Sequence, residues 1–418
     1  MKRLVRMVTV AAFAAWCLLA IAAVSAAQLD DITRILEGGD AQRSVELLKP
    51  LADGGDARAQ AALGTIYVKG AGVPQDFAAA ARWYESAAAQ GNAEAQNGLG
   101  RLYGAGLGVA ADGASALNWL KKAAEQGNPD HQFDLAAALD NGLGGNIDRS
   151  AASQWYARAA GQGHGEAQAN LGLLYYSGDG VPKDRQKAIE LYTRAAEQGQ
   201  AKAQNNLGLM YAKGEGVPQD YETAVAWFKK AVDQGLPQAM TNLGVMYDNG
   251  FGVPQSDERA VELYRLGGRE GGANAQAASK QAAYIFDARL SPLDLKSASP
   301  QQFLAAAAQG DPVAMFLAGY LHAVQASQPG DYVEAARWLE KSAAKGIPAA
   351  MANFGLLYVR GLGVPQDFVL GYMWINLAAA SGLREAVFMR DSAASGMSAQ
   401  ELNEAQQLAQ QRWASLRK

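Results

Sequence analysis

Cysteine and histidine are scarce in this chain of 418 residues. Its single cysteine is Cys17, which lies in an apolar run spanning residues 7–24. The histidines are His131, His164 and His322, and none stands at metal-ligand or dyad spacing from another. A sequence without paired cysteines cannot build a disulfide framework, and isolated histidines do not make a metal site. We therefore expect no disulfide, no thiol nucleophile outside the apolar run, no bound metal and no cofactor.

Charged residues are also few, at 19% of the chain. The 37 Lys and Arg residues face 41 Asp and Glu residues, which gives a net charge of −4 at pH 7. Basic surfaces attract nucleic acids and anionic membranes, whereas a mildly acidic surface has no such attraction. The composition therefore predicts no nucleic-acid partner.

Recognisable catalytic motifs are nearly lacking as well. The sequence has no P-loop pattern and no Gly-x-Ser-x-Gly. Ser342 and Lys345 match the Ser-x-x-Lys of penicillin-recognising enzymes, but no Lys-Thr-Gly or Ser-Asp-Asn motif accompanies them. Relative to the glycine that follows its helix, Ser342 takes the position of Ala195 and Ala123 in other copies of the pattern described below, which indicates a helix-packing role. No catalytic residue is assigned.

The N-terminus has the order of features that is typical of a secretory signal peptide. Lys2, Arg3 and Arg6 precede the apolar run, and the small residues Ala26 and Ala27 follow it. We expect cleavage after residues 1–27, a periplasmic mature protein and no stable membrane insertion after that cleavage. An uncleaved membrane anchor is the alternative, because the apolar run approaches the length that crosses a bilayer. Secretion beyond the periplasm is a further possibility.

The stretch GEGVPQDYETAVAWFKKAVDQG, at residues 214–235, has close copies elsewhere in the chain. Two of them begin at Gly70 and Gly361. A Leu-Gly-x-x-Tyr anchor precedes the stretch, and its leucines are spaced by 36 or 72 residues: Leu63, Leu99, Leu171, Leu207 and Leu243. The chain is therefore predicted to be built from internal repeats.

Weaker copies complete the series. Leu135 fills the one gap, and Phe354 begins a late copy. Leu317, preceded by Phe316, is interpreted as a weaker anchor, and Tyr284 falls at the anchor tyrosine of a degenerate unit. About nine units are expected between residues 57 and 382.

Each unit is predicted to be a pair of helices. Its apolar residues recur at helical spacing in two runs. Between these runs, Gly214 and Gly216 permit the backbone angles that end the first helix, Pro218 blocks its continuation, and Asp220 can cap the second. One helix pair cannot bury its apolar face alone, so neighbouring units must stack.

The repeated sequence AQNNLGLMYAKGEGVPQDYETAVAWFKKAVDQG resembles the Sel1-like repeat (SLR) family, which is related to tetratricopeptide repeats. The resemblance covers nearly the whole chain after the leader. It implies an all-α fold, a right-handed α/α superhelical solenoid of about nine 36-residue helix-turn-helix repeats with capping helices. The C-terminal tail, where Ser398 and Glu401 have capping-box spacing, is similar to the closing helix of exported bacterial members.

The sequence divides into six segments. They are a signal peptide (1–27), N-terminal capping helices (28–56), six repeats (57–270), a degenerate repeat or possible bend (271–310), two repeats (311–382) and C-terminal capping helices (383–418). The rhythm fails from Leu266 to Pro300, so this stretch is either a degenerate repeat with a surface insertion that a solenoid tolerates, or a bend or hinge.

Asparagine recurs one residue before the anchor in four units, at Asn170, Asn206, Asn242 and Asn353. The resemblance implies that first helices line a concave groove, where these side chains would form a ladder. An amide can donate to and accept from a peptide backbone at once, so the ladder is the candidate partner-binding site. Structural bonds between adjacent helices are the alternative interpretation.

The predicted function is a non-enzymatic scaffold or adaptor of the cell envelope that binds a protein or peptide in the groove, with a possible regulatory role. The resemblance implies roles in envelope signalling, polysaccharide export or virulence. Two alternatives belong to other classes: a β-lactam-directed hydrolase, and a cell-wall or glycan-binding structural protein that uses exposed Trp and Tyr. The sequence does not name the partner.

Overall fold

The computed structural model describes residues 41–270, 284–287, 289–290 and 298–416. The predicted signal peptide, residues 1–27, lies outside the described residues, as do residues 28–40 of the predicted N-terminal cap. Most of the predicted degenerate repeat or bend, residues 271–310, also lies outside them. What the sequence predicts for these segments stays a prediction.

The described residues form twenty α-helices and no β-strand. In chain order they are α1 (Ala41–Asp53), α2 (Ala57–Lys69), α3 (Phe77–Ala89), α4 (Ala93–Ala105), α5 (Gly113–Ala124), α6 (Pro129–Asp140), α7 (Arg149–Gly161), α8 (Gly165–Ser177), α9 (Arg185–Glu197), α10 (Ala201–Lys213), α11 (Tyr221–Asp233), α12 (Pro237–Asn249), α13 (Asp257–Glu270), α14 (Gln301–Ala308), α15 (Pro312–Val324), α16 (Pro329–Ala344), α17 (Pro348–Arg360), α18 (Phe368–Ala380), α19 (Arg384–Ala394) and α20 (Ala399–Leu416). Helices α2 to α13 and α15 to α18 alternate as first and second helices of repeats. The predicted all-α solenoid is confirmed.

The helices belong to two compact units. Unit 1 contains the described parts of Met1–Gly98, Gly106–Ala110 and Ala283–Lys418, and unit 2 contains those of Leu99–Ala105 and Ala111–Ala282. Both ends of the described chain therefore lie in unit 1. Among the helices of the described ranges, none combines the length and the apolar character that crossing a membrane requires.

The loop between the two helices of a repeat is built as predicted. Gly214 and Gly216 have φ angles of 70° and 82°, in the left-handed region that favours glycine. The Gln219 amide donates to a carbonyl of the last turn of α10 at 2.8 Å. Asp220 accepts from an N–H of the first turn of α11 at 3.0 Å. The loop thus satisfies open backbone groups at both helix ends.

A row of buried glutamines joins successive repeats, and the predictions made from the sequence do not include it. Gln204, in the first turn of α10, donates to the carbonyl of Ala196 on the preceding α9 at 3.1 Å. Its own side-chain oxygen accepts from Gln234, at the end of α11, at 2.8 Å. Three equivalent pairs are Gln60 with Gln90, Gln132 with Gln162, and Gln168 with Gln198. The glutamine repeated at 36-residue intervals was the available signal.

The apolar core runs between the helix layers of consecutive repeats. Leu207 is 1% exposed and packs in one cluster with Tyr192 and Met210. The anchor glycine beside it, Gly208, lets α10 approach α11, because a Cβ there would lie 2.7 Å from the ring of Phe228. Each repeat therefore depends on its neighbours for burial.

The register predicted for the weakest repeat is wrong by one residue. On α15 the glycine that approaches the second helix is Gly319, where a Cβ would lie 2.8 Å from a side chain of α16. Gly319 thus corresponds to Gly355 one repeat later, and Ala318 replaces the anchor residue. Leu317, rather than Phe316, takes the position before the anchor. Close approach requires glycine, so the glycine sets the register and the leucines do not.

Tyr284 is not the anchor tyrosine of a helix, contrary to the prediction. Residues 284–287 have no helical structure, whereas the anchor Tyr211 lies near the end of α10. The sequence has Lys280 where the anchor leucine belongs.

The capping box predicted at the start of the last helix is confirmed. The N–H of Ser398 donates to the Glu401 carboxylate at 2.8 Å, and the N–H of Glu401 donates to the Ser398 hydroxyl at 3.3 Å. These bonds satisfy two backbone donors at the N-terminus of α20.

Within unit 1, the loop between α2 and α3 packs against the C-terminal helices. The side-chain amide of Asn376, on α18, accepts from the N–H of Gln75 at 2.8 Å and donates to its carbonyl at 3.1 Å. Gln406, on α20, accepts from the N–H of Phe77 at 3.0 Å. Tyr372 donates to the Gln75 side chain. We call this set of bonds the end contact.

The end contact explains the composition of α18. That composition enters none of the predictions made from the sequence. This helix carries no charged residue, and Asn376 is 0% exposed. The equivalent position on α11 is Lys229, which is exposed. A helix that is apolar on every side is a signal of burial on every side. Here α20 and the first loop supply the extra cover.

Candidate functional site

The four asparagines of the predicted ladder lie on first helices, Asn170 on α8, Asn206 on α10, Asn242 on α12 and Asn353 on α17. Their partners differ, and the difference follows from one residue of the preceding repeat. That residue is on the second helix, at Tyr156, Tyr192, Phe228 or Leu339 respectively. The ladder therefore divides into two pairs.

Asn170 and Asn206 are tied to tyrosine hydroxyls. Asn170 donates to the hydroxyl of Tyr156 at 3.1 Å, and Asn206 lies beside the hydroxyl of Tyr192. Burial raises the pKa of Tyr156 to about 12, while the bond from Asn170 acts in the opposite direction. Burial likewise raises the pKa of Tyr192. Both hydroxyls stay protonated, and these two amides have a structural bond between adjacent helices.

Asn353 has no tyrosine to pair with, because Leu339 takes that position. Its amide oxygen accepts from the N–H of Ile285 at 2.7 Å, and its amide nitrogen donates to the carbonyl of the same residue at 2.8 Å. The N–H and C=O of one residue point to the same side only when the chain is extended. The side chain thus clasps an extended backbone, which is the chemistry predicted for the ladder.

Asn242 also lacks a tyrosine partner, because Phe228 takes that position. Its amide nitrogen donates to the Asn205 side chain at 2.8 Å. Asn205 is buried, and its own nitrogen lies 3.5 Å from the side-chain oxygen of Asn206. Within the described ranges the amide oxygen of Asn242 accepts no hydrogen bond. This acceptor is the open end of a short chain of amides.

In unit 1, residues 284–287 cover the face formed by α15 and α17. The ring of Phe286 lies 5.3 Å from that of Tyr320 and 6.4 Å from that of Phe316. The guanidinium of Arg360 lies 5.4 Å from the ring of Tyr284. We call Phe316, Tyr320, Asn353 and Leu356 the covered face.

In unit 2, the same repeat positions are exposed. Two residues after the anchor leucine, Leu173 is 49% exposed and Val245 is 40% exposed, and Leu209 is half-buried. The equivalent Tyr320 and Leu356 of the covered face are 8% and 3% exposed. We call Leu173, Leu209, Val245, Asn206 and Asn242 the open face.

A cavity of about 60 Å³ adjoins the open face. Leu173, Leu209 and Met210 contribute its apolar wall, and Asn206 lies at its edge with Tyr176 and Tyr192. A cavity that holds one water molecule has a volume of about 10–15 Å³ by the same measure, so this one has room for a small side chain. Apolar walls with a few polar groups are typical of peptide-binding positions.

The residues considered for catalysis or metal binding have other roles. Ser342 is 0% exposed and donates to the carbonyl of Pro312 at 2.7 Å, which fits the packing role predicted for it. His164 is not a plain surface residue, because its Nδ1 accepts from the N–H of Ala167 at 3.1 Å and caps α8. The part of the chain that the structure describes holds no group of three His, Cys, Asp or Glu placed to bind a metal.

Trp155 and Trp227 give no support to the glycan-binding alternative. Trp155 and Trp227 are half-buried and pack against core clusters. A cation three residues later lies over each ring, Arg158 at 4.2 Å and Lys230 at 3.9 Å. Sugar stacking would need a free aromatic face, and these rings are already in contact.

The solved structures similar to this chain include two repeat proteins. The crystal structure of c5321, a protective antigen present in uropathogenic Escherichia coli strains and displaying an SLR fold, is 27% identical with a TM-score of 0.51; the match covers 93% of this chain and 97% of that one. A Sel1 repeat protein from Oxalobacter formigenes is 32% identical with a TM-score of 0.52, over 57% of this chain and 95% of that one. No curated protein sequence matches significantly.

The sequence model of the Sel1 repeat matches eight segments of the chain. They are residues 57–92, 93–128, 130–164, 165–200, 201–236, 237–272, 312–347 and 348–383. Together they make up more than half of the chain, and the interval between the sixth and the seventh is the predicted degenerate unit. The chain belongs to the Sel1 repeat family.

Proposed function

We propose that this chain is a non-enzymatic adaptor of the cell envelope that binds an extended peptide segment of a partner protein on its open face. Sel1 repeat proteins are generally protein-interaction scaffolds. The observation that carries the proposal is the clasp of Asn353 on the backbone of Ile285. It is an example, within this chain, of an asparagine at the ladder position holding an extended segment.

Asn242 is the residue of the open face that is equivalent in chemistry to Asn353. In the repeat before each of them, the second helix has Phe228 or Leu339 where the other repeats have a tyrosine. Neither amide can therefore bond a tyrosine hydroxyl at that position. The amide oxygen of Asn242 can accept an N–H from a bound backbone, as Asn353 does. Leu209 and Val245 flank it and offer apolar surface for the side chains of the peptide. The ligand is therefore an extended segment with aliphatic residues.

The expected binding is weak and reversible for a short peptide. Two clasp hydrogen bonds contribute about 0.5–1.5 kcal/mol each, and burial of one leucine side chain contributes about 1.5–3 kcal/mol. A tighter complex requires the partner to contact several repeats, which a solenoid allows.

Replacing Asn242 with alanine should weaken peptide binding about five- to a hundredfold, because up to two hydrogen bonds worth about 0.5–1.5 kcal/mol each are lost. The probe is a fluorescein-labelled peptide of residues 283–289 with Phe286→Leu, which suits the aliphatic face. Fluorescence anisotropy with the full mature chain measures the affinity. The proposal fails if the unchanged chain does not bind the probe at millimolar concentration, or if the alanine variant binds it equally well.

Asn170→Ala is the matched control, since it removes an asparagine tied to a tyrosine hydroxyl. It should lower the melting temperature, because the buried hydroxyl of Tyr156 loses the amide that donates to it. Its affinity for the probe, measured on the folded fraction, should be unchanged. If both variants lower the melting temperature and neither changes the affinity, the ladder is structural throughout.

The envelope location is the second part of the proposal, and it rests on the order of charged, apolar and small residues at the N-terminus. The mature protein should begin near Ala27 or Gln28 and fractionate with soluble periplasmic proteins. N-terminal sequencing of the protein recovered from its own cell measures this directly. An intact Met1 on membrane-bound protein would show an uncleaved anchor instead.

A further inference from the structure

The covered face differs in chemistry from the open face. Its residue two positions after the anchor is Tyr320, where the open face has Leu209, and Phe316 adds a second ring. Both rings lie beside Phe286. Aromatic pairs at such separations favour offset or edge contacts, so this face favours an aromatic ligand side chain over an aliphatic one.

Among the described residues, the clasp of Asn353 is the side-chain hydrogen bond that holds residues 284–287 on this face. All four residues are half-buried. Ring contacts of Phe286 with Phe316 and Tyr320 and of Tyr284 with Arg360 add to the clasp, and Asp287, whose side chain is 8% exposed, pairs with Arg289. The first loop of the end contact is different, because Gln75 and Phe77 are 7% and 8% exposed and three side chains bond them. The first loop is therefore held by more side-chain hydrogen bonds than residues 284–287, which are half-buried.

We propose that the covered face is a second peptide-binding site, separate from the open face, and that residues 284–287 are its exchangeable internal occupant. Its ligand class is an extended peptide of a partner protein with an aromatic residue directly after the clasped one. Asn353 holds the backbone of the clasped residue, and Phe316 and Tyr320 contact the aromatic side chain. The site does not depend on Asn242.

Residues 284–287 determine when a free peptide can bind the covered face, because the peptide must displace them. A tethered segment competes with an effective concentration on the order of millimolar. A free peptide at micromolar concentration therefore cannot displace it unless the internal segment is weakened or the partner adds further contacts. Phe286→Ala weakens the occupant and leaves the receiving residues Phe316, Tyr320 and Asn353 unchanged.

The test uses the full mature chain with Asn242→Ala throughout, so that the open face does not contribute. The probe is a fluorescein-labelled peptide of residues 283–289 with its own Phe286 retained. Adding Phe286→Ala to the protein should strengthen probe binding by about tenfold or more, from the lost ring contacts. Adding Asn353→Ala as well should reverse that gain. Phe286→Leu in the protein should give a smaller gain.

A photoreactive benzophenone in place of the ring of Phe286 in the peptide locates the bound probe. Cross-links should fall on α15, at or beside Phe316 and Tyr320. Circular dichroism melting establishes that each variant is folded. The inference is overturned if folded Phe286→Ala binds the probe no better than its parent, if Asn353→Ala leaves the gain intact, or if cross-links fall away from α15. Because every variant carries Asn242→Ala, none of these outcomes depends on the open face.

Discussion

Asn376→Ala is expected to lower the free energy of unfolding of unit 1 by about 2 to 6 kcal/mol, since it leaves the N–H and the carbonyl of Gln75 buried without partners, at about 1–3 kcal/mol each. Asn376 is 0% exposed and bonds both groups. Urea denaturation followed by circular dichroism measures the change. Amide hydrogen exchange should show lost protection both in α18 and in the first turn of α3, where the N–H of Phe77 is bonded to Gln406.

Lys229→Ala is the control for this variant. Lys229 takes the same repeat position on α11 and is exposed, so its removal should change stability by no more than about 0.5 kcal/mol. Equal effects of the two substitutions would show that the end contact contributes nothing beyond the ordinary packing of a second helix.

Leu207→Ala is expected to destabilise unit 2 by about 2–5 kcal/mol, the cost of truncating a fully buried leucine. Leu207 is 1% exposed and shares a cluster with Tyr192 of the preceding repeat. Neighbouring repeats support one another, so the loss should spread beyond the helix that carries the substitution. Hydrogen exchange should rise in α9 and α11 as well as in α10.

Leu209→Ala provides the comparison on the same helix. Leu209 is only half-buried, and its truncation should cost less than about 1.5 kcal/mol because less apolar area is lost. Leu209 belongs to the open face. The substitution should therefore change the free energy of binding the leucine-containing probe more than it changes the free energy of unfolding. For the Leu207→Ala variant, an increase in hydrogen exchange that is confined to α10 would contradict the prediction that neighbouring repeats share one core.

The local structure of a repeat could be predicted almost completely. Gly214 and Asp220 act as helix end and helix cap because each needs only its own backbone angle or a bond to a nearby N–H. The spacing of Leu207 and Met210 predicted which side of α10 is buried. Where local chemistry was ambiguous, as at Leu317, the leucine pattern gave the wrong register, and the close approach of Gly319 to α16 decided it.

The candidate site could be predicted only in outline. The ladder position and the chemistry of an amide on a backbone followed from the sequence. Whether an asparagine is tied to a hydroxyl, as Asn170 is, or holds a peptide, as Asn353 does, depends on a residue of the preceding helix. That pairing is readable only once the stacking of the repeats is known.

The sequence alone determined the repeat, its two helices, the loop that joins them and the family, because a pattern that recurs every 36 residues reports interactions between near neighbours in the chain. The tertiary structure decided the contacts that occur once. Gln75 meets Asn376 across 301 positions, and Ile285 meets Asn353 across 68. In both contacts the asparagine bonds the backbone, which every residue possesses. No side-chain pattern marks such a segment in advance, so only the fold shows which backbone is held.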